Sequence, residues 1–300
     1  MAIFRPISLL PSGLIAVAAV AVVAGCAGMK QEAVGPARKE MAFAVTSGNQ
    51  LISFNAGQPQ KILAKKAITG LAPGETLVGI DFRVARGQLY GLTSSGRLLR
   101  LDTASGAIEP IGQPLGIDFG TEIIGFDFNP AVDRIRLVGT TGRNQRLHPD
   151  TGAAVDADPA TSGVQPDATL VYEAGDAGAG NPPRVAAAGY TYNKTNEKIT
   201  TNYAIDAGQG SLVMQGSREG AVPAVSPNSG RLTTVGRLGV PGFTRASFDI
   251  ADVSNAAFLA TDGPTDRESR WYGVDLASGK ATFIGTIRAG EPVRGIAIEP

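Results

Sequence analysis

The sequence predicts an all-β, propeller-like domain, most simply five four-stranded blades closed by pairing of its N- and C-terminal strands. Three observations carry this expectation. A short phrase recurs five times, two successive copies share one internal spacing, and the two ends of the domain supply complementary parts of one unit. Repeats of this kind fix an architecture before any single element does.

The phrase is a small residue, an apolar one, a variable one and another apolar one. It occurs as Gly79-Ile80-Asp81-Phe82, Gly125-Phe126-Asp127-Phe128, Gly189-Tyr190-Thr191-Tyr192, Ser247-Phe248-Asp249-Ile250 and Gly295-Ile296-Ala297-Ile298. Alternation with period two makes each copy a strand with its large residues on one face. Second strands follow at 88–93 and 134–139, and third strands at 97–102 and 143–148. Hairpin turns come next: Asp102 to Gly106, Pro149 to Gly152, Asp275 to Gly279 and, more loosely, Asn228 to Gly230. Asp can accept from its own backbone two residues on, and Gly supplies positive φ. Fourth strands end in Ile-Gly or Val-Gly at 108–112, 232–236 and 282–285. From Gly79 to Gly106 is 27 residues, and from Gly125 to Gly152 is also 27.

Residues 41–70 supply second, third and fourth strands with no first, and 292–299 supply a first strand with nothing after it. Joined, they make one blade, which is how a propeller protects its sheet edges. Segment 153–184 is rich in Ala, Gly, Asp and Pro; its one strand-like run, Thr169 to Tyr172, is expected to be the last strand of the third blade. Segment 207–227 is similarly loose, so a sixth irregular blade or an open array remains the alternative to five.

The N-terminus differs from the rest. One basic residue, Arg5, precedes an apolar run whose uninterrupted part, Leu14 to Ala24, is too short to span a bilayer and fits a secretory signal peptide over 1–25. Val23-Ala24-Gly25-Cys26 resembles the lipobox of bacterial lipoproteins. That resemblance implies cleavage before Cys26 and attachment of acyl chains, such as palmitate, to it; several chains make a stable anchor. Ala27 is not the Asp that retains many such proteins at an inner membrane, so the expected location is exported and membrane-anchored, at the outer membrane or periplasmic face. An ordinary signal peptide with an incidental Cys, or an uncleaved anchor, is the competing reading. Residues 26–40 then form the lipidated Cys and a flexible tether, and 41–300 the folded domain. Cys26 is the only Cys, so stability must come from packing and not from disulfides. The 27 basic and 27 acidic residues balance, which argues against a nucleic-acid partner.

The stretches LVGIDF at 77–82, GQLYGLTSSGRL at 87–98, GFDFNPAVDRIR at 125–136, RLHPDTG at 146–152 and AAGYTYN at 187–193 resemble a bacterial family, domain of unknown function 4394. The resemblance runs from about Met41 to Pro300. It implies a propeller-like fold and brings no activity with it.

Two groups of residues are candidate ligand sites. Asp81, Asp127 and Asp249 share one position of the repeated first strand, with Thr191 and Ala297 in the other two copies. First strands line a propeller channel, so three carboxylates could converge there on a cation or polar group, or else accept hydrogen bonds from neighbouring blades. Arg134 and Arg136 alternate onto one strand face and, with Arg146, could hold an anion, or else form ion pairs between blades. His148 is the only His, which disfavours zinc or iron, and no catalytic motif is present, so neither a metal nor a catalytic residue is assigned. Calcium, which takes oxygen ligands, is the one cation considered; the Asp156/Asp158 and Asp262/Asp266 loops lack a calcium-loop pattern and fit turn chemistry. The expected function is that of a lipid-anchored binding or scaffold module of the cell envelope, with a protein or polysaccharide partner. The alternatives are an envelope enzyme acting on glycans or lactones and a purely structural lipoprotein.

Overall fold

The repeated phrase forms the innermost strand of every blade. In the computed structural model, which describes residues 1–3 and 32–300, five small antiparallel sheets stand around a common axis. Blade I joins β20 (Val293–Ile298), β1 (Met41–Thr46), β2 (Gln50–Asn55) and β3 (Ile62–Ala67). Blade II is β4 (Leu77–Arg83), β5 (Gln88–Thr93), β6 (Leu98–Leu101) and β7 (Ile108–Ile111). Blade III is β8 (Ile124–Asn129), β9 (Arg134–Gly139) and β10 (Asn144–Leu147). Blade IV contains β12 (Val185–Tyr190), β13 (Asn202–Asp206), β14 (Ser211–Gln215) and β15 (Arg231–Arg237), with β11 (Val171–Tyr172) added outside. Blade V is β16 (Arg245–Ile250), β17 (Ala257–Asp262), β18 (Arg270–Val274) and β19 (Ala281–Thr286). Neighbouring inner strands touch in the order β20, β4, β8, β12, β16 and back to β20, so the ring is complete.

Closure is made by the termini. Ala42 pairs with Ile298, Ala44 with Ile296 and Val45 with Gly295, antiparallel. The small residue of the phrase is needed because adjacent inner strands nearly touch: a Cβ on Gly125 would fall 2.8 Å from the Ala187 backbone. The turn glycine has a second reason besides its φ of +79° at Gly106: a Cβ there would lie 2.5 Å from the Ala67 carbonyl of blade I.

Apolar packing follows the same radial plan. Five buried clusters coincide with the five interfaces between blades. The V/I cluster centres on Trp271, which stacks on Phe258 at 5.2 Å and donates its indole N–H to the Ala56 carbonyl at 2.9 Å. The III/IV cluster takes only Val138 from blade III among its buried members. Polar groups complete that interface, as described below.

Three expectations need adjustment. The blades are not uniformly four-stranded; they hold three to five. Thr169–Tyr172 is not the last strand of blade III: one bond, from Leu170 N–H to the Gly142 carbonyl at 3.0 Å, reaches that blade, but β11 runs parallel to β15 and the Tyr172 hydroxyl donates to Asp206 at 2.6 Å. Blade III instead ends in a single bridge, Leu147 to Ala154, before its chain departs. The third concerns the tether: the compact unit begins at Glu32, so 32–40 is docked. Glu32 accepts from Thr286 in blade V, the Arg38 backbone and the Asn55 side-chain amide of blade I exchange hydrogen bonds, and the Arg38 guanidinium lies 5.6 Å over the Phe258 ring. The segment straps the closing blade to its neighbour. Cys26 and residues 4–25 lie outside the described residues.

Candidate functional site

An inner strand has a sheet partner on one side only, so its other edge would leave N–H groups unpaired in the channel wall. The repeated Asp meets that need. Asp81 accepts from its own strand's Phe82 N–H and from Phe128 N–H of blade III, both at 2.7 Å. Asp249 accepts from Ile250 N–H and from Ile298 N–H of blade I. Asp127 accepts from Tyr190 N–H of blade IV at 3.0 Å, and its second oxygen receives no donor among the described residues.

These carboxylates converge as well as cap. One oxygen from each of Asp81, Asp127 and Asp249 lies within 4.8 Å of the others, and the residues are 6%, 3% and 4% exposed. Burial, followed by mutual charge, holds Asp81 and Asp127 well above the ordinary carboxylate range. Burial pushes Asp249 up to about 6. Asp252, in the turn after β16, joins the group: burial and the Asp249 charge push it up to about 8. The cluster therefore shares protons near neutrality, and a cation entering it would displace them. The repeat does not reveal Asp252, which lies outside the recurring phrase; its one signal is its place three residues after Asp249. Thr191 turns away, accepting from Thr201 N–H and donating to Glu219, and Ala297 is buried.

The arginines occupy the III/IV interface. Arg136 is 2% exposed; it donates to Asp167 at 2.6 Å, to Tyr190 and Asn144, and to Asn228 of blade IV. Arg146 grips the same Asp167 through two nitrogens. Arg134 is partly exposed and, among the described residues, donates only to the Val132 and Asp133 carbonyls. All three line a cavity of about 370 Å³ with Asn129, Tyr190 and Asn228. Asp167 is not legible in the sequence because it sits in the aperiodic 153–184 segment. A similar pin joins II to III: buried Arg83 bridges Asp133 and Asp150, the latter from the PDTG turn.

A ring of five antiparallel blades with a buried acidic centre defines a five-bladed β-propeller. The chain belongs to the family described as Domain of unknown function (DUF4394), which residues 50–297 match. No curated protein matches it. Among solved structures it is similar to a chain of a nidogen/laminin complex, with 14% identity, 87% of this chain and 98% of that one covered, and a TM-score of 0.47. It is also similar to a protein of unknown function from Bacteroides thetaiotaomicron, with 14% identity, 82% and 58% covered, and a TM-score of 0.42. The matched part is thus 58% of that second protein's chain.

Proposed function

We propose that the protein is an exported, lipid-anchored binding module of the cell envelope. In this reading the acylated Cys26 holds the ring at a membrane, and the cavity at Arg134, Arg136 and Arg146 receives a polar group of an envelope polysaccharide. The observation that carries it is the construction of that cavity. Three strands of blade III and two residues of blade IV bring guanidinium, amide and phenol groups to one wall, and Asp167 fixes two of the guanidiniums in place. Pre-positioned donors of this kind suit recognition of hydroxyl and acidic sugar groups, because they lose little freedom on binding.

Two measurements test the reading. Cys26→Ser should release the chain from membranes or leave it unprocessed, and intact mass of the membrane form should show an acylated Cys26. The purified ring should co-sediment with isolated envelope polysaccharide, and Arg134→Ala or Asn129→Ala should weaken this at least about tenfold without loss of fold. Retention by an envelope protein alone would change the partner. Turnover of a glycan or lactone would make the protein an enzyme, and failure to bind anything would leave a structural role.

A second reading concerns the channel. The convergence of three carboxylate oxygens within 4.8 Å supports a calcium ion bound by Asp81, Asp127 and Asp249. A calcium-dependent rise in melting temperature that Asp127→Asn abolishes would support it, and identical melts with calcium and with chelator would remove it.

A further inference from the structure

The opposite mouth of the channel carries a different chemistry. There the inner strands begin, and a cavity of about 230 Å³ is lined by Thr76 and Thr121, by Ser247, and by two arginines from adjacent blades, Arg245 of blade V and Arg294 of blade I. Below them the free space is only about 10 Å³, walled by Gly79, Gly125, Phe126, Phe248 and Gly295, which gives the mouth a floor.

These two arginines line one cavity together and, among the described residues, neither has an ion-pair partner. Arg83, Arg97, Arg136, Arg143 and Arg146 each rest on a carboxylate. Among the described residues, no carboxylate oxygen comes within 4.0 Å of Arg245 or Arg294. The Arg294 Nε is buried and, among the described residues, donates to nothing. A buried donor without an acceptor is costly, and more so on a charged group. Burial first, then the neighbouring Arg245 charge, holds the Arg294 pKa below its ordinary value, as expected of two cations facing one cavity. Asp262 and Glu291 act on Arg294 through their charge, but they lie beyond ion-pair distance and the nearby acids' oxygens accept from other donors. Glu122, on the cavity wall, is held by two nitrogens of Arg143. Glu291 accepts from Thr46 and Ser47, and Asp262 accepts from Ser269.

We infer that the channel mouth is a binding site for a small oxyanionic group, a phosphate, sulfate or carboxylate, held by the Arg245 and Arg294 guanidiniums with Thr76, Thr121 and Ser247 hydroxyls around it. Two planar forks can share one oxyanion bidentately, and the orphaned Arg294 Nε gains its acceptor. The cavity has room for the head group and its first attached atoms; the rest of a larger ligand extends outward, since the floor is closed. The site is separate from the Arg134 cavity and is independent of whether Cys26 is acylated.

The test is titration of the ring with sodium phosphate, sodium sulfate and sodium glucuronate, followed by calorimetry and thermal melting against chloride at matched ionic strength. The wild-type ring should bind at least one of them saturably and melt higher with it. Arg294→Gln and Arg245→Gln should each weaken binding about tenfold or more. Arg231→Gln, at an exposed pair with Glu173, should leave it unchanged. A preference for phosphate or sulfate identifies a tetrahedral head group, and a preference for glucuronate a sugar acid. Without any anion, Arg294→Gln should melt no lower than wild type, since its Nε has no partner to lose. The inference is overturned if none of the three anions exceeds the chloride control, or if both variants bind as wild type does. An Arg294→Gln ring that is destabilised yet binds phosphate normally would return Arg294 to packing.

Discussion

Asparagine substitutions separate the two roles of the channel carboxylates. Asp127 uses one oxygen to accept from Tyr190, so Asp127→Asn keeps the acceptor and loses only the charge. Asp81 and Asp249 use both oxygens for backbone N–H groups. Asn at either position must set its NH₂ against one of those donors, a loss of about 1–3 kcal/mol. The charge contribution follows from the spacing. Two unit charges 4.8 Å apart repel by about 3.5 kcal/mol at an effective dielectric near 20. The raised pKa values fix the sign. Between about 3.8 and about 6 for Asp249, and up to about 8 for Asp252, the folded ring holds protons that the unfolded chain has released. Stability from these groups is therefore greatest below that window and falls as pH rises through it. Burial and the neighbouring carboxylates favour the protonated form of Asp127, so Asp127→Asn should be closest to neutral toward low pH. As pH rises and the cluster ionises, it should turn stabilising by on the order of 1–3 kcal/mol, several degrees in melting temperature. Asp81→Asn and Asp249→Asn should be destabilised at pH 5, with partial recovery at pH 8. Urea and thermal unfolding at both pH values, in chelator, read this directly. An Asp127→Asn ring that falls as far as Asp81→Asn at pH 5 would refute the reasoning, as would a wild-type ring equally stable at pH 5 and pH 8.

Other outcomes follow from the interfaces. Asp167→Asn strands buried Arg136 and loosens Arg146, and should cost about 3–5 kcal/mol by denaturant unfolding; a loss under 1 kcal/mol would mean the pair is not the pin of the III/IV interface. Trp271→Ala should cost about 3–5 kcal/mol, since it empties the V/I cluster and orphans the Ala56 carbonyl; a near-neutral melt would contradict that packing. Removal of 32–40 should lower the melting temperature of the ring, because it takes away the contacts that tie Thr286 and Phe258 of blade V to Asn55 of blade I. Equal melts for 32–300 and 41–300 would show the strap to be ornamental.

The ring is legible in the sequence because its determinants are local and repeated. A small residue is required wherever inner strands crowd, and a turn ending in Gly wherever a blade meets its predecessor, so both recur, at the same spacing in blades II and III. The acidic centre is legible for the same reason, as Asp81, Asp127 and Asp249 hold one repeated position. Residues that act across blades carry no such mark. Asp167 reaches Arg136 and Arg146 from an aperiodic loop, and β11 sits on β15, where Tyr172 finds Asp206. Arg294 does leave a trace. The position before the small residue is Val78, Ile124, Ala188, Ala246 and Arg294 in the five copies, and only the last is charged. The docked 32–40 segment has few large apolar residues, and it is held by hydrogen bonds and one cation–π contact that composition does not disclose.

Everything at the axis depends on β20. It supplies Arg294 at the channel mouth and the Ile298 N–H that Asp249 caps, and it pairs with β1 to close the ring. Native-state hydrogen exchange tests that closure most directly. If β20 is the inner strand of blade I, the amides of Ile296 and Ile298 exchange only with global unfolding, as slowly as those of β5 and β17. Exchange of these amides in the fast, denaturant-independent manner of a frayed C-terminus, while β5 and β17 stay protected, would contradict the closed ring.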